Sequence, residues 1–204
     1  MARAEPVAER RWTARKVLLG ATAVLGAALL LAVVMGLATS ERVSGASMRP
    51  TLRSGDRVLL DKSAYHKAAP GRFDVVALHA PGIAGLAFLR VVGLPGDRVQ
   101  IRAVDGESQV LLQPGGRGTW FTLATRHRLD WGGPCCGADG TTTGGAAVTV
   151  PAAEYFVLGD NPAASRDSRA FGFVARSRIV GRVLLRVWPP GSVGGRPRLV
   201  LVAG

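Results

Sequence analysis

The longest apolar run in the chain is Val17–Thr39, which contains 23 residues and no charged side chain. At about 1.5 Å per residue, a helix of this length crosses a hydrocarbon core of roughly 30 Å. We therefore predict a single transmembrane helix over residues 17–39. A cleaved signal peptide is the alternative, because the small residues Ala38–Ser40 suit a cleavage site. Its apolar region, however, is normally only about 7–15 residues long.

Beyond residue 40, apolar residues occur in short runs separated by Gly, Pro and Asp. Such runs are too short for helices, and their regular spacing is typical of a mainly antiparallel β fold. We therefore predict that residues 40–204 form an all-β domain. Its predicted strands are Arg57–Leu60, Asp74–Leu78, Phe88–Val92, Arg98–Ile101, Gln109–Leu112, Ala147–Val150, Tyr155–Leu158, Ile179–Val187 and Leu199–Val202.

A segment at about residues 103–153 differs from the rest of the predicted domain. Its centre, Leu112–Gly145, contains paired glycines and shows little periodicity, so we predict a loop-rich insert. The two cysteines of the chain, Cys135 and Cys136, are adjacent in this insert. They lack the second pair of ligands that a structural zinc site needs, so no metal site is predicted. A vicinal disulfide, a bridge between two chains and two free thiols all stay open.

Charge predicts the orientation of the chain. Five basic residues and two acidic residues lie within residues 1–16, so the positive-inside rule predicts a cytoplasmic tail there. Residues 40–204 then lie outside the plasma membrane. The net charge of +12 predicts attraction to anionic membrane lipids, and Trp188 and Trp120–Phe121 suit either the lipid interface or an ordinary rim. Nucleic acid is not expected as a partner, because this orientation and the lack of a recognised motif exclude it.

Three segments carry the candidate chemistry. The first is SGASMRPTLRSGD around Ser47, the second is FLRVVGLPGDRVQI at Phe88–Ile101, and the third is GDNPAASRDSRAFGFV at Gly159–Val174. In this order and after an N-terminal apolar run, they closely resemble type I signal peptidases, membrane-bound serine endopeptidases that remove signal peptides from exported proteins. The resemblance implies an all-β catalytic domain, a signal peptide bound as an added strand, and no cofactor. It also implies cleavage after small residues, as in Ala-X-Ala.

The resemblance also implies roles for individual residues. Ser47 matches the nucleophile, and Ser165 matches the serine that hydrogen-bonds the family's lysine base. Asp167 and Arg169 match the ion pair that braces this serine, and Arg90 lies on the strand that delivers the lysine. Residues expected to line the substrate pockets are Gly45, Met48, Leu52, Phe88 and Leu89.

The sequence departs from the family at Leu89, which stands where the family has its lysine base. Leucine cannot accept a proton, and a serine hydroxyl is a weak nucleophile without a base. Losing general-base assistance costs on the order of 10²–10⁴-fold in rate. Two interpretations follow. The chain is an active endopeptidase with another base, or it is a catalytically silent relative that binds signal peptides or regulates an active paralogue.

His79 is the candidate for a substitute base. If the hairpin before Leu89 is centred on Ile83, Ala77 faces Leu89 and His79 lies diagonally from it on the same sheet face, roughly 7–8 Å away. A slip of one residue would turn His79 to the other face. An ordinary polar residue at a strand end is the alternative interpretation. Lys62 is a further candidate, although a lysine at this place is common in the family and is not its base.

Overall fold

The structure is a computed structural model of the 204-residue chain. The chain divides into two compact units, Met1–Ser40 and Glu41–Gly204. This division lies at the predicted start of the β domain. The residues that the structure describes are 7–38, 40–104, 107–124, 146–193 and 198–201.

The first unit contains helix α1, Val7–Ala38, which is 32 residues long. Its described side chains between Lys16 and Leu31 are exposed, and those of Val17 and Leu25 are both more than two-thirds exposed. Judged on the residues that the structure describes, no helix is both long enough and apolar enough to cross a membrane. The transmembrane segment over residues 17–39 therefore stays a prediction.

The second unit is mainly β in its described part, and all nine predicted strands are confirmed. Three short strands and one short helix, α2 at Ser168–Phe171, were not predicted. The strands are β1 Glu41–Arg42, β2 Arg57–Asp61, β3 Val75–Leu78, β4 Ala87–Gly93, β5 Arg98–Val104, β6 Glu107–Gln113, β7 Phe121–Ala124, β8 Val148–Thr149, β9 Glu154–Leu158, β10 Val174–Ala175, β11 Ile179–Trp188 and β12 Arg198–Leu201.

Within the described residues, the strands form two antiparallel sheets. The larger has the order β1-β2-β11-β3-β4-β9-β10 and the smaller has the order β12-β7-β6-β5-β8. The chain passes from β4 into β5 through a tight turn at Leu94–Asp97. The buried Asp97 carboxylate fixes this turn, because it accepts hydrogen bonds from the Leu94 amide at 2.6 Å and from Arg72 at 2.8 Å. This turn joins the two sheets.

The smaller sheet occupies much of the predicted insert. Strands β6, β7 and β8 fall within residues 103–153, so the described part of this segment is ordered as a sheet rather than as loops. Val110 and Leu112 of β6 pack in one cluster with Phe156 and Leu158 of β9. β7 was not predicted from the sequence, because it is only four residues long and follows a glycine-rich turn. Residues 125–145, including Cys135 and Cys136, lie outside the described residues.

The hairpin formed by β3 and β4 differs in register from the prediction. Ala77 pairs with Phe88, and Leu89 pairs with Val76, so the predicted pairing of Ala77 with Leu89 is wrong by one residue. Because neighbouring strand residues face opposite sides, the shift removes the geometric reason for placing His79 beside Leu89. The hydrophobic pattern of β3 could not define this register, because all four of its residues are buried and either face could be the core face.

Candidate active site

Ser47 lies in a tight turn between β1 and β2. The turn is closed by the Arg49 amide, which donates to the Ala46 carbonyl at 3.2 Å, and by the Leu52 amide, which donates to the Met48 carbonyl at 2.8 Å. The part-buried Ser47 Oγ donates to the Phe88 carbonyl of β4 at 3.5 Å, which is a long and weak hydrogen bond. The turn therefore brings the candidate nucleophile to the start of β4.

An apolar cluster lies next to this turn. Met48, Leu52 and Phe88 are buried and pack in one cluster together with Ala77 of β3. Three of the predicted substrate-binding residues are therefore neighbours in the fold. Gly45 precedes them in an exposed bend with a φ of +85°, which side-chain-bearing residues rarely adopt.

The ladder between β4 and β9 ends beside Ser47. Its last described pair is Arg90 with Leu158, and the chain then continues as Gly159. A methyl group at Gly159 would overlap the Ser165 hydroxyl and would lie 2.6 Å from the Ser47 carbonyl oxygen. Only a residue without a side chain lets the Ser47 and Ser165 segments meet here. The sequence analysis assigned Gly159 no role, although it begins the third family segment.

The surroundings of Ser165 and Leu89 differ from those that the family's lysine would require. The Ser165 hydroxyl oxygen is buried and has no hydrogen-bond partner in the part of the chain that the structure describes. Leaving such a group unsatisfied costs about 1–3 kcal/mol. Leu89 is 1% exposed and packs in the cluster of Val157 and Phe171, which is separate from the cluster of Phe88. The family pattern implies that a lysine at position 89 would supply the missing partner.

Asp167 anchors the loop that carries Ser165. Its carboxylate is fully buried and accepts hydrogen bonds from Arg169 Nε at 2.8 Å and from the Gly159 amide at 3.0 Å. It also caps α2 by accepting from the Arg169 amide. The predicted ion pair between Asp167 and Arg169 is thus confirmed. It connects the end of β9 to the beginning of α2 and so fixes both ends of the Ser165 loop.

Arg90 makes a second, part-buried ion pair, with Asp160, which was not predicted from the sequence. Its guanidinium donates to both oxygens of Asp160, at 2.8 and 2.6 Å, and to the Phe73 carbonyl at 2.9 Å. The Thr51 hydroxyl donates to the same carboxylate. Asp160 therefore ties the Ser47 turn to β4. The signal was present in the sequence as the Gly-Asp-Asn start of the third family segment.

The candidate substitute bases lie elsewhere. His79 is exposed just after β3, and its backbone amide donates to the Arg178 carbonyl at 2.9 Å. Lys62 forms an exposed ion pair with Glu41 at 3.4 Å. Neither side chain has a hydrogen bond to Ser47 among the described residues. In that same part of the chain, no group of three or more potential ligands could hold a metal ion.

Comparison with known proteins agrees with this geometry. A family model described as "Signal peptidase, peptidase S26" matches residues 15–188. The chain belongs to this family. As a signal peptidase I-like serine endopeptidase, it carries Leu89 where the family has its lysine base, and the first and third family segments meet at Gly159.

Two relatives that match over most of their own length lead to the same assignment. Signal peptidase I of Leptolyngbya laminosa is 30% identical over 83% of this chain and 78% of its own length. Signal peptidase I of Bacillus caldolyticus is 36% identical over 72% of this chain and 78% of its own length. A solved signal peptidase I from Enterococcus faecalis is 28% identical, with a TM-score of 0.41 over 55% of this chain and 95% of that structure.

Proposed function

We propose that this chain removes signal peptides from exported preproteins, with Ser47 as the nucleophile. The observation that carries the proposal is the convergence of the Ser47 turn and the Ser165 loop on Gly159, where a single methyl group would not fit. Two ion pairs hold this arrangement, Arg90 with Asp160 and Asp167 with Arg169.

The chemistry follows from the groups at Ser47. Its Oγ attacks the carbonyl carbon of the residue before the cut, and its proton must pass to a base. The carbonyl oxygen then carries the negative charge, and the Ser47 amide would donate a hydrogen bond to it. Collapse of this intermediate breaks the C–N bond, the leaving amine takes up the proton from the base, and an acyl ester is left on Ser47, which water hydrolyses.

Substrate binding is proposed to use β4 and the apolar cluster beside Ser47. β9 ends its pairing with β4 at Arg90, so the backbone at Phe88 is free of β9 and suits an added strand. Met48, Leu52 and Phe88 would then form the floor of pockets for small side chains such as Ala. Large residues before the cut should fit poorly.

The full chain in detergent tests the proposal with a peptide that spans an Ala-X-Ala site. We expect cleavage after the second Ala, none with Ser47→Ala, and loss of cleavage when that Ala is replaced by Phe. Cleavage that persists in Ser47→Ala, or that tolerates Phe, would show that another protein or another site is responsible.

Membrane anchoring is part of the proposal. We infer that residues 17–39 span the plasma membrane once, with residues 1–16 cytoplasmic and residues 40–204 outside, in contact with anionic lipids. The uncharged run and the basic residues before it support this topology. Labelling of cysteines introduced singly at exposed positions such as Arg53 should succeed from outside intact cells. Labelling only after the cells are opened would contradict the topology.

A specific observation also favours a second function. The buried apolar setting of Leu89 and the unpartnered Ser165 hydroxyl fit a catalytically silent relative that binds signal peptides or regulates an active paralogue. Under this alternative, wild type and Ser47→Ala bind the Ala-X-Ala peptide equally well and neither cleaves it. Measuring binding and cleavage on the same two samples therefore separates the two functions.

A further inference from the structure

The Asn161 side chain contacts the segment that carries Ser47 and not its own turn. It precedes the 3₁₀ turn at Pro162–Ala164, where an asparagine side chain would ordinarily cap the first amides. Its side chain makes no such cap. Instead, Asn161 Nδ2 donates to the Ala46 carbonyl at 3.1 Å, a residue 115 positions earlier in the chain.

The backbone of Asn161 holds the next carbonyl along. Its amide donates to the Ser47 carbonyl at 2.8 Å. One residue therefore binds two consecutive carbonyls, those of Ala46 and Ser47, on the segment that carries the nucleophile. The Ala46 carbonyl receives a second hydrogen bond from the Arg49 amide at 3.2 Å. Three hydrogen bonds thus fix this segment. Two of them hold the Ala46 carbonyl, and the third holds the Ser47 carbonyl of the next peptide unit.

Fixing the Ala46 carbonyl also fixes the direction of the Ser47 amide. A trans peptide unit is planar, and its C=O and N–H point in opposite directions. Asn161 holds the carbonyl side, so the Ser47 N–H points away from Asn161. In the part of the chain that the structure describes, this N–H has no acceptor. A donor that is fixed in direction and left without a partner is what a developing oxyanion needs.

We propose that Asn161 is a positioning residue that aims the Ser47 amide at the oxyanion of the reaction, a role that rests on the proposed function above. Gly45 has no side chain to add a second donor on this segment, so the direction of the Ser47 amide matters more here. Asn161 touches neither the substrate nor the reacting atoms and acts through the peptide unit that it holds.

The kinetic test is Asn161→Asp, which keeps the size and the backbone amide but replaces the Nδ2 donor with an acceptor. An oxyanion contact exists only in the transition state, so we expect kcat to fall about 10–100-fold and KM to change less than about twofold. Asn161→Ala serves as a second variant without the added charge. Ala163→Ser is the matched control, because it alters an exposed position of the same turn and should leave both constants unchanged.

A purely structural role would give a different pattern. It predicts that KM rises and the thermal midpoint falls together, and that the Ser47 amide keeps its direction. The residual dipolar coupling of the Ser47 N–H, measured by NMR on the isotope-labelled full chain, reports that direction without any turnover. We expect this coupling to change in Asn161→Asp and to stay at the wild-type value in Ala163→Ser.

The same measurements separate this proposal from the proposed function. If wild type does not cleave, kcat is measured in the Leu89→Lys background. If that background is also inert, the proposed function fails and the dipolar coupling alone decides the role of Asn161. An unchanged coupling in Asn161→Asp overturns the role in every case. An unchanged kcat overturns it wherever cleavage is measurable.

Discussion

At the scale of single residues, the candidate site departs from the family pattern at Leu89. The predicted ion pair between Asp167 and Arg169 is present, with a fully buried carboxylate. Leu89 fills the position of the base with an apolar side chain. The Ser165 hydroxyl is buried and has no hydrogen-bond partner in the described structure. Activity at this site therefore depends on whether a base can accept the proton of the Ser47 hydroxyl.

Restoring an amine at position 89 should restore the missing base. We expect Leu89→Lys to raise cleavage of an Ala-X-Ala peptide by about 10²-fold or more. Burial lowers the pKa of the introduced amine, and only its neutral form accepts the Ser47 proton. Activity should therefore rise with pH as the ammonium group loses its proton.

Leu89→Met is the matched control for this variant, because it supplies a long, flexible side chain without an amine. It should stay at the wild-type rate. Removing the Ser165 hydroxyl in the Leu89→Lys background, by Ser165→Ala, should reverse much of the gain. A Leu89→Lys protein that is folded and no faster than Leu89→Met would show that more than the base has been lost.

His79 gives a second prediction at this scale. Its exposed place after β3 and the observed register separate it from Leu89, so we expect His79→Ala to leave the cleavage rate and its pH profile unchanged. Lys62→Ala should behave in the same way, because Lys62 pairs with Glu41 on the surface. A loss of about 10²-fold or more in His79→Ala would restore the substitute-base hypothesis.

At the scale of elements, the site depends on where β9 stops. Strand β9 pairs with β4 as far as Leu158, and its next three residues turn toward the Ser47 segment. Gly159 makes the close approach, Asp160 binds Arg90 and Thr51, and Asn161 binds the carbonyls of Ala46 and Ser47. The end of a single strand thus holds the nucleophile turn.

Gly159→Ala tests this arrangement. The added methyl group overlaps the Ser165 hydroxyl and crowds the Ser47 carbonyl, so one of these segments must move. Overpacking of this kind costs about 1–3 kcal/mol in stability, and a displacement near 1 Å at the reacting groups costs about 10²-fold in rate. We expect a folded protein with a lower thermal midpoint and little cleavage. Gly71→Ala is the control, because its methyl group would meet only the Asp74 carboxylate at 3.4 Å.

The Gly159→Ala assay belongs in whichever background cleaves, wild type or Leu89→Lys. Peptide binding measured on the same sample shows whether the pocket survives. Full activity in Gly159→Ala would mean that the Ser47 and Ser165 segments need not converge, and it would remove the main support for the proposed function.

Across the β domain as a whole, part-buried polar pairs connect separate segments of the chain. The Arg72–Asp97 pair lies at the turn between the two sheets, and Arg90–Asp160 joins β4 to the end of β9. A third link runs from the Tyr65 hydroxyl to Asp74, at 2.9 Å. These links hold the loops and turns that connect the short strands.

The Tyr65 link predicts how stability depends on pH. Burial, followed by the hydrogen bond to Asp74, raises the pKa of Tyr65 above its ordinary value, so the folded state keeps the phenol neutral. In the unfolded chain tyrosine ionises near about pH 10. The contribution of Tyr65 is therefore fully present below about pH 10 and is lost as the pH rises further.

Thermal unfolding between pH 8 and pH 11 checks this prediction. Tyr65→Phe should lower stability by about 1 kcal/mol at pH 8, because it removes the hydrogen bond to Asp74. It should also flatten the decline above pH 10. Burial raises the pKa of Tyr155 as well, so part of the decline should persist and should be reduced by Tyr155→Phe. A wild-type midpoint that is independent of pH over this range would contradict the prediction.

Nine of the strands and the family follow from local patterns in the sequence. Alternating apolar runs between turn residues predicted nine strands, because side-chain alternation and turn chemistry are local properties. The three segments predicted Ser47, Ser165 and the Asp167–Arg169 pair, because chemistry restricts which residues can stand there. The same comparison showed that Leu89 lacks the function of the residue it replaces.

How these parts meet depends on contacts that form only in the folded chain. The register of β3 against β4 could not be read from a strand that is buried on both faces, so His79 was placed beside the wrong neighbour. The roles of Gly159 and Asn161 depend on contacts with a segment more than one hundred residues away. Such contacts leave no periodic pattern in the sequence, because close packing and hydrogen bonds between distant segments are fixed only when the chain is folded.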